Sequence, residues 1–270
     1  MSDRAIQMPQ SGLRCDLNVH TCLSHDGSGT VEDHCRAALA RGIRVIGFTE
    51  HLDFDPADPG FGYYDYEACV SAIMDARRRF GRDLEILMAV EIDYQDWFED
   101  DIARFLRRHE FDYVIGSVHA VGAQRLMGAE YCAGRTAHQA YADYFAAVRK
   151  SAASGLFDVI GHPGYATRRG IGVYGEPDYA ALRDEIREAL QTIVDSGTCL
   201  EINGAGLRHA QAEPYPGRAI LAAFRDLGGR KVTLGSDSHQ PEHTGVGIPE
   251  PLLASVAQED WELITFGAAT

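Results

Sequence analysis

Apolar residues fall along this chain in two alternating rhythms. Short, nearly unbroken runs such as Val45-Ile-Gly-Phe48, Ile86-Leu-Met-Ala-Val90 and Tyr113-Val-Ile-Gly116 are separated by longer segments in which apolar positions recur every three to four residues. Unbroken runs suit strands buried on both faces, and the wider spacing draws one apolar stripe down a helix. Seven strands are predicted: Leu13–His20, Ile43–His51, Leu84–Ile92, Phe111–His119, Phe157–Pro163, Thr198–Asn203 and Lys231–His239.

The helical segments between them carry start and stop signals. Thr30-Val-Glu-Asp33 reads as a capping box, and Gly42 closes that helix. After Thr136, the residues Ala137, Ala140, Tyr141, Tyr144, Phe145 and Val148 form one stripe ending at Gly155. Leu182, Ile186, Leu190 and Ile193 repeat it before Gly197, as do Ile220, Leu221, Phe224 and Leu227 before Gly228. Strand–helix alternation without a break in composition predicts parallel strands in a single α/β domain over residues 13–270, after a polar N-terminal extension of residues 1–12. None of the seven units carries a dinucleotide-type glycine fingerprint at its strand-to-helix turn. A closed or nearly closed barrel is therefore favoured over an open doubly wound sheet. The stretches Asp53–Tyr66 and Tyr165–Pro177, rich in Pro, Gly and Tyr, are read as long loops after strands.

Composition narrows the partners. A formal charge of −15 with one basic run, Arg77-Arg78-Arg79 on a helix, argues against nucleic acid. No apolar stretch reaches the ~18 residues that a membrane span needs. The six cysteines show no Cys-x-x-Cys spacing and read as reduced thiols, so a cytoplasmic location is expected.

The chemistry collects where the predicted strands stop. Their ends read Asp16-Leu-Asn18-Val-His20, Thr49-Glu50-His51, Val90-Glu91-Ile-Asp93, Ser117-Val-His119, Gly161-His162-Pro163, Glu201-Ile-Asn203 and Ser236-Asp237-Ser-His239. Five of the eleven histidines thus sit at strand C-termini, which in a barrel share one face. His25 follows in the loop Ser24-His25-Asp26-Gly27, while His34, His109 and His138 belong to helical segments as packing or surface residues. A single strand-end histidine is commonly only a hydrogen-bonding core residue. Many imidazoles pooled with unbalanced carboxylates are better explained by divalent cations, and by more than one.

The ordered motifs Asp16-x-Asn-x-His20-x(4)-His25, Thr49-Glu-His51, Val90-Glu91, Ser117-Val-His119, Gly161-His-Pro163 and Ser236-Asp-Ser-His239 resemble the PHP (polymerase and histidinol phosphatase) superfamily. Gly204-Ala-Gly-Leu-Arg208 and Glu213-Pro-Tyr-Pro216 are similar to its histidinol-phosphatase branch. The resemblance implies a distorted, TIM-like (β/α)7 barrel with two or three divalent ions: zinc, manganese or iron, with magnesium also compatible. By motif position it implies His20, Glu91 and Asp237 around a first ion, with Asn18 beside them. Glu91 would bridge to a second ion on His119 and His162, and His25, His51 and His239 would hold a third. It implies Arg208 against a substrate phosphate, with Arg168 or Arg169 after the fifth strand as a second candidate; His209, in a loop near the mouth, is read as a further substrate contact, and Asp237, His239 and Arg208 as the catalytic set.

The activity so implied is phosphomonoester hydrolysis, with L-histidinol phosphate as the substrate and a metal-bridging hydroxide attacking phosphorus. The family's first motif carries a histidine where this chain has Asn18, and an amide oxygen is a poorer donor to zinc than imidazole. That departure keeps open another small organophosphate as substrate, or a PHP domain weakened in catalysis. A nuclease module of the same superfamily would need a basic groove that this acidic chain does not offer. The oligomeric state is not encoded in any of these motifs.

Overall fold

The computed structural model describes residues 5–7, 14–209, 212–248 and 261–267. The start of the first predicted strand at Leu13, most of the extension 1–12, and the domain's segments 249–260 and 268–270 lie outside the described residues. In chain order the strands are β1 (Ala5–Gln7), β2 (Cys15–Val19), β3 (Val45–Leu52), β4 (Glu85–Asp93), β5 (Tyr113–Ser117), β6 (Ala120–Val121), β7 (Gln124–Arg125), β8 (Val159–Ile160), β9 (Cys199–Asn203), β10 (Lys231–Gly235) and β11 (Glu262–Phe266). The helices are α1 (Val31–Ala40), α2 (Tyr66–Phe80), α3 (Glu99–Leu106), α4 (Ala129–Cys132), α5 (Ala137–Ala153), α6 (Thr167–Tyr174), α7 (Arg183–Ser196) and α8 (Arg218–Asp226).

Seven strands run parallel in the order β2-β3-β4-β5-β8-β9-β10, and an eighth, β11, continues the parallel sheet beside β10. The ends of the row meet above β11. Val19 bridges Ser238, the His20 amide donates to the Ser238 carbonyl at 2.8 Å, and the Asp237 amide donates to the Asn18 carbonyl at 2.9 Å. The barrel is thus nearly closed, with β11 along the lower half of the seam through Lys231–Glu262 and Val232–Leu263. Of the predicted extension, Ala5–Gln7 is a strand, antiparallel to β11. Neither β1 nor β11 is among the predicted strands. Both are short, and β11 lacks the histidine or carboxylate near its end that marks the predicted strands.

The helix signals map onto real ends. Thr30 and Asp33 form the reciprocal capping box of α1, and Thr136 and Gln139 form that of α5. Gly197 takes the left-handed conformation (φ +73°) that ends α7, where a side chain would be strained. Ala140, Tyr141, Tyr144, Phe145 and Val148 are all buried against the barrel, each large side chain contributing about 1.5–3 kcal/mol.

Three predictions need correction. β8 is two residues long and β10 stops at Gly235, so His162, Asp237 and His239 stand in the loops beyond rather than on extended strand. The predicted strand Phe111–His119 likewise stops early, β5 ending at Ser117 so that His119 lies past it. The stretch Tyr165–Pro177 is not a plain loop, because α6 occupies its middle. Among the described residues no helix is long and apolar enough to cross a membrane.

Candidate metal centre

The C-terminal ends of the strands bring five histidines and Asp237 around Glu91, which is completely buried on β4. Its carboxylate oxygens lie 2.8 Å from His162 Nε2, 3.1 Å from His20 Nε2, 3.7 Å from His119 Nε2 and 3.9 Å from His51 Nδ1. The Ser117 hydroxyl also donates to it. Asp237 Oδ1 is 3.6 Å from His20 Nε2 and 3.5 Å from His239 Nδ1. The imidazole of His20 stacks between those of His51 and His239, with centroids 4.2 and 4.3 Å away.

Local structure explains this arrangement. His162 and Asp237 both have positive φ, +31° and +53°, which non-glycine residues rarely adopt and which turns their side chains into the barrel mouth. Each strained turn is held from behind. The Tyr144 hydroxyl accepts the Gly164 amide at 2.9 Å and donates to the His162 carbonyl at 3.3 Å. Arg208 donates from Nη1 to the Ser236 carbonyl (2.8 Å) and from Nη2 to the Asp237 carbonyl (2.9 Å). Buried Asp16 accepts from the Ser236 and Gly245 amides, both at 2.8 Å, fastening the same turn to β2. Glu50 shapes the first loop by accepting from Thr21 and from the Ser24 hydroxyl, whose oxygen in turn accepts the His51 amide at 3.0 Å.

Charge follows from this packing. Burial opposes a charge on His162, but the Glu91 hydrogen bond and carboxylate outweigh it and push the imidazole up to about 9. Burial likewise opposes His239, which contact with Asp26 and Asp237 raises to about 9. At His119 burial prevails over the opposing charge of Glu91 and lowers the imidazole to about 4. Asp237 is held down at about 2 because the charges of His239 and His20 prevail over burial. Glu201, buried behind the cluster, is pushed up to about 7 by burial despite the charge of His162.

The donor set suits cations. His20 Nε2 and Glu91 Oε2 are buried, face one another and have no hydrogen-bond partner, and His162 Nδ1 and His25 Nδ1 are also unpartnered. Buried polar atoms are rarely left so. Potential ligand atoms of His20, His51 and His239 lie within 4.8 Å of one another, as do those of His51, Glu91 and His119. Imidazole nitrogens with carboxylate oxygens at this spacing are a donor set for borderline divalent ions.

Not every candidate joins the cluster. Asn18 is wholly buried, but its amide is committed: Nδ2 donates to Glu201 Oε1 and Oδ1 accepts from the Thr49 hydroxyl, both at 2.9 Å. His25 stands at the edge, its ring 5.8 Å from that of His51. Arg168 lines the cleft over the cluster, a space of about 310 Å³, together with Arg169 and Arg125, whereas Arg208 and His209 are not among its lining residues. Asp26 was not singled out from the sequence, yet its carboxylate is 3.4 Å from His239 Nε2 and 3.8 Å from His51 Nε2. Its one sequence signal is adjacency to His25. Glu201, which the sequence places at a strand end without giving it a role, joins from behind by accepting the His162 amide at 2.7 Å. His34, by contrast, is a satisfied core residue between the Thr244 hydroxyl and the Ser28 carbonyl.

Known proteins resemble the chain throughout. The PHP domain profile matches residues 16–205. A probable histidinol-phosphatase of Deinococcus radiodurans is 32% identical over 243 residues, 86% of this chain and 88% of that protein. The histidinol-phosphatase of Lactococcus lactis is 27% identical over 229 residues, 84% of each chain. The crystal structure of the Lactococcus lactis histidinol phosphate phosphatase, complexed with zinc, L-histidinol and phosphate, superimposes with a TM-score of 0.84 at 25% identity, covering 94% of this chain and 97% of that one. With the barrel and its ring of strand-end histidines and carboxylates, these matches make the chain a member of the PHP domain family, in its histidinol-phosphatase-like branch.

Proposed function

We propose that this chain is a metal-dependent phosphatase that hydrolyses L-histidinol phosphate, a step of histidine biosynthesis in the cytoplasm. The observation that carries the reading is the convergence of His20, His51, His119, His162, His239 and Asp237 on a buried Glu91 beneath a cleft walled by arginines. His20, Glu91 and Asp237 would hold one ion, and Glu91, His119 and His162 a second. His51 and His239 would hold a third, with His25 and Asp26 at its edge. When bound, such ions supply Lewis-acid charge to the phosphate oxygens and acidify a water for attack on phosphorus.

The chain's own residues divide the remaining work. Arg168 and Arg169 line the cleft and bring fixed positive charge to the non-bridging phosphate oxygens. Arg208 grips the carbonyls on either side of the Ser236–Asp237 peptide link, so its first task is to hold Asp237 in its strained turn. Of the two cleft-wall groups, Asp237 is held ionised and serves as a ligand, so His239 is the one from which a leaving alkoxide would take its proton. Asn18, tied to Thr49 and Glu201, supports the site from within the barrel. Catalysis is assigned to one domain spanning residues 13–270.

The test is phosphate release from L-histidinol phosphate and from a panel of nucleotide, sugar and aryl phosphates, with Mn²⁺ and with Zn²⁺. L-histidinol phosphate is expected to have the highest kcat/KM. Preference for another ester by orders of magnitude would overturn the substrate, and release from none of them with either metal would overturn the activity.

A further inference from the structure

The cleft over the metal centre is electrically divided. Asp53, Asp55 and Asp58 from the loop after β3, with Gln95 after β4, line one sector, while arginines reached from β7 and α6 line the other. An acidic loop alone says little, because such loops are commonly just solvated. Two buried atoms add to it. Asp53 is 7% exposed and Gln95 5% exposed, and Asp53 Oδ2 and Gln95 Oε1 have no hydrogen-bond partner.

Gln95 Oε1 is an acceptor, and so is Asp53 Oδ2 once a cation beside it holds the carboxyl ionised against its burial and the neighbouring carboxylates. The Gln95 amide has its orientation set, since Nε2 donates to Asp93 Oδ2 at 3.1 Å while Asp93 Oδ1 accepts the His119 amide at 2.6 Å. The oxygen of Gln95 is therefore the end left over. The loop around Asp53 is curled by its own side chains: Asp55 Oδ1 accepts the Ala57 amide at 2.9 Å and Asp58 Oδ1 the Gly60 amide at 2.7 Å. This brings Gly60 so close that a Cβ there would lie 2.1 Å from Asp53 Oδ2. The loop thus closes over the carboxylate with bare backbone and offers that oxygen no donor. A buried carboxylate and a buried amide oxygen lacking donors, with further carboxylates alongside, call for a ligand that is all donor and positively charged. An ammonium is such a group.

We propose that Asp53 and Gln95, backed by Asp55 and Asp58, form a cation-recognition pole that takes the ammonium of an amine-bearing phosphate monoester while the arginine sector takes its phosphate. This rests on the reading of the cleft as a phosphatase site, and makes the amine a determinant of specificity. A site built from buried polar groups rejects an analogue lacking their partner, because those groups are then left unpaired.

The experiment compares L-histidinol phosphate with 3-(imidazol-4-yl)propyl phosphate, which lacks only the amine, in the Mn²⁺-loaded wild type and in Asp53→Asn, Gln95→Met and Asp58→Asn. The wild type should prefer the amine substrate by about 100-fold or more in kcat/KM, and each variant should shrink that ratio about tenfold. Metal content, measured by elemental analysis, should not change. No preference in the wild type, an unaltered ratio in the variants, or loss of an ion from Asp53→Asn would overturn the proposal; the last would make Asp53 a metal ligand. If the wild type releases phosphate from neither ester, the phosphatase reading fails separately. The pole is then judged by calorimetric titration with L-histidinol, where binding weakened about tenfold in the variants supports it and no binding by the wild type overturns it.

Discussion

Replacing Glu91 by Gln keeps the shape of the side chain and removes its charge at the one point where four histidines meet. The contact to His162 at 2.8 Å is a hydrogen bond and the one to His20 at 3.1 Å a close charge contact, and no solvent screens either because Glu91 is fully buried. Charge-assisted hydrogen bonds contribute about 1.5–3 kcal/mol each. Breaking a buried pair from one side costs about 3–5 kcal/mol because the other charge is stranded, so the metal-free variant should be less stable by about that amount. A second effect appears when metal is added. Glu91 is the carboxylate that the first two proposed ions would share, and a 100-fold loss of ion affinity removes about 2.7 kcal/mol of ligand-linked stabilisation. At this chain length that is a loss of roughly 5–10 °C from the metal-induced rise in Tm. Differential scanning fluorimetry across a Mn²⁺ or Zn²⁺ titration, with elemental analysis of the dialysed protein, reads both effects. A Glu91→Gln protein that keeps the wild-type metal content and the full Tm rise would refute the assignment of Glu91 as the hub.

The remaining predictions test the supporting residues. Arg208→Ala should lower kcat at least tenfold while leaving inhibition by inorganic phosphate nearly unchanged, because its mapped contacts are to backbone carbonyls; parallel loss of phosphate inhibition would return Arg208 to the role of anion ligand. Asn18→His must fit a larger ring between Thr49, Glu201 and the backbone of Gly235. It should destabilise the metal-free protein by about 1–3 kcal/mol but raise metal affinity, and an unchanged metal titration would show that position 18 does not reach the ions. Thr30→Ala removes the capping box of α1 and should cost about 1 kcal/mol in urea unfolding with kcat/KM unaltered. A loss of activity there would mean that α1 shapes the site more directly than its capping contacts indicate.

The ligand ring was legible in the sequence because the barrel converts a one-dimensional regularity into a place. Strand C-termini converge, so a histidine or carboxylate at each of several strand ends needs no further information to become a cluster. What escaped depends on things that strand ends do not encode. Asp26 lies in a loop whose path is set by Glu50 gripping Thr21 and Ser24, contacts between β3 and the first loop that no local pattern announces. Strand β11 escaped because its pairing with β10 covers only Lys231 and Val232, too short a stretch to need a long apolar run. Arg208 illustrates a different limit. Its motif ties it to phosphate, but its guanidinium is spent on the turn that presents Asp237, and only coordinates reveal such a commitment.

Asn18 joins these two kinds of information. Read along the chain, it is a missing ligand and a reason to doubt the site. In three dimensions its amide satisfies both Thr49 and Glu201, a buried acid that packs directly behind His162 and accepts that residue's amide. An imidazole at position 18 carries one N–H and one acceptor nitrogen and cannot meet an ion through one nitrogen while serving both neighbours with the other. The substitution therefore exchanges a ligand for an internal brace on the His162 turn, and the ions are left to the donors that remain, chiefly His20, Glu91 and Asp237. On this argument Thr49→Val, which removes the hydroxyl from Asn18 without touching any candidate ligand, should weaken the brace and lower kcat several-fold at unchanged metal content. If Thr49→Val instead leaves kcat unaltered, Asn18 is a passive filler and the brace is no part of the site.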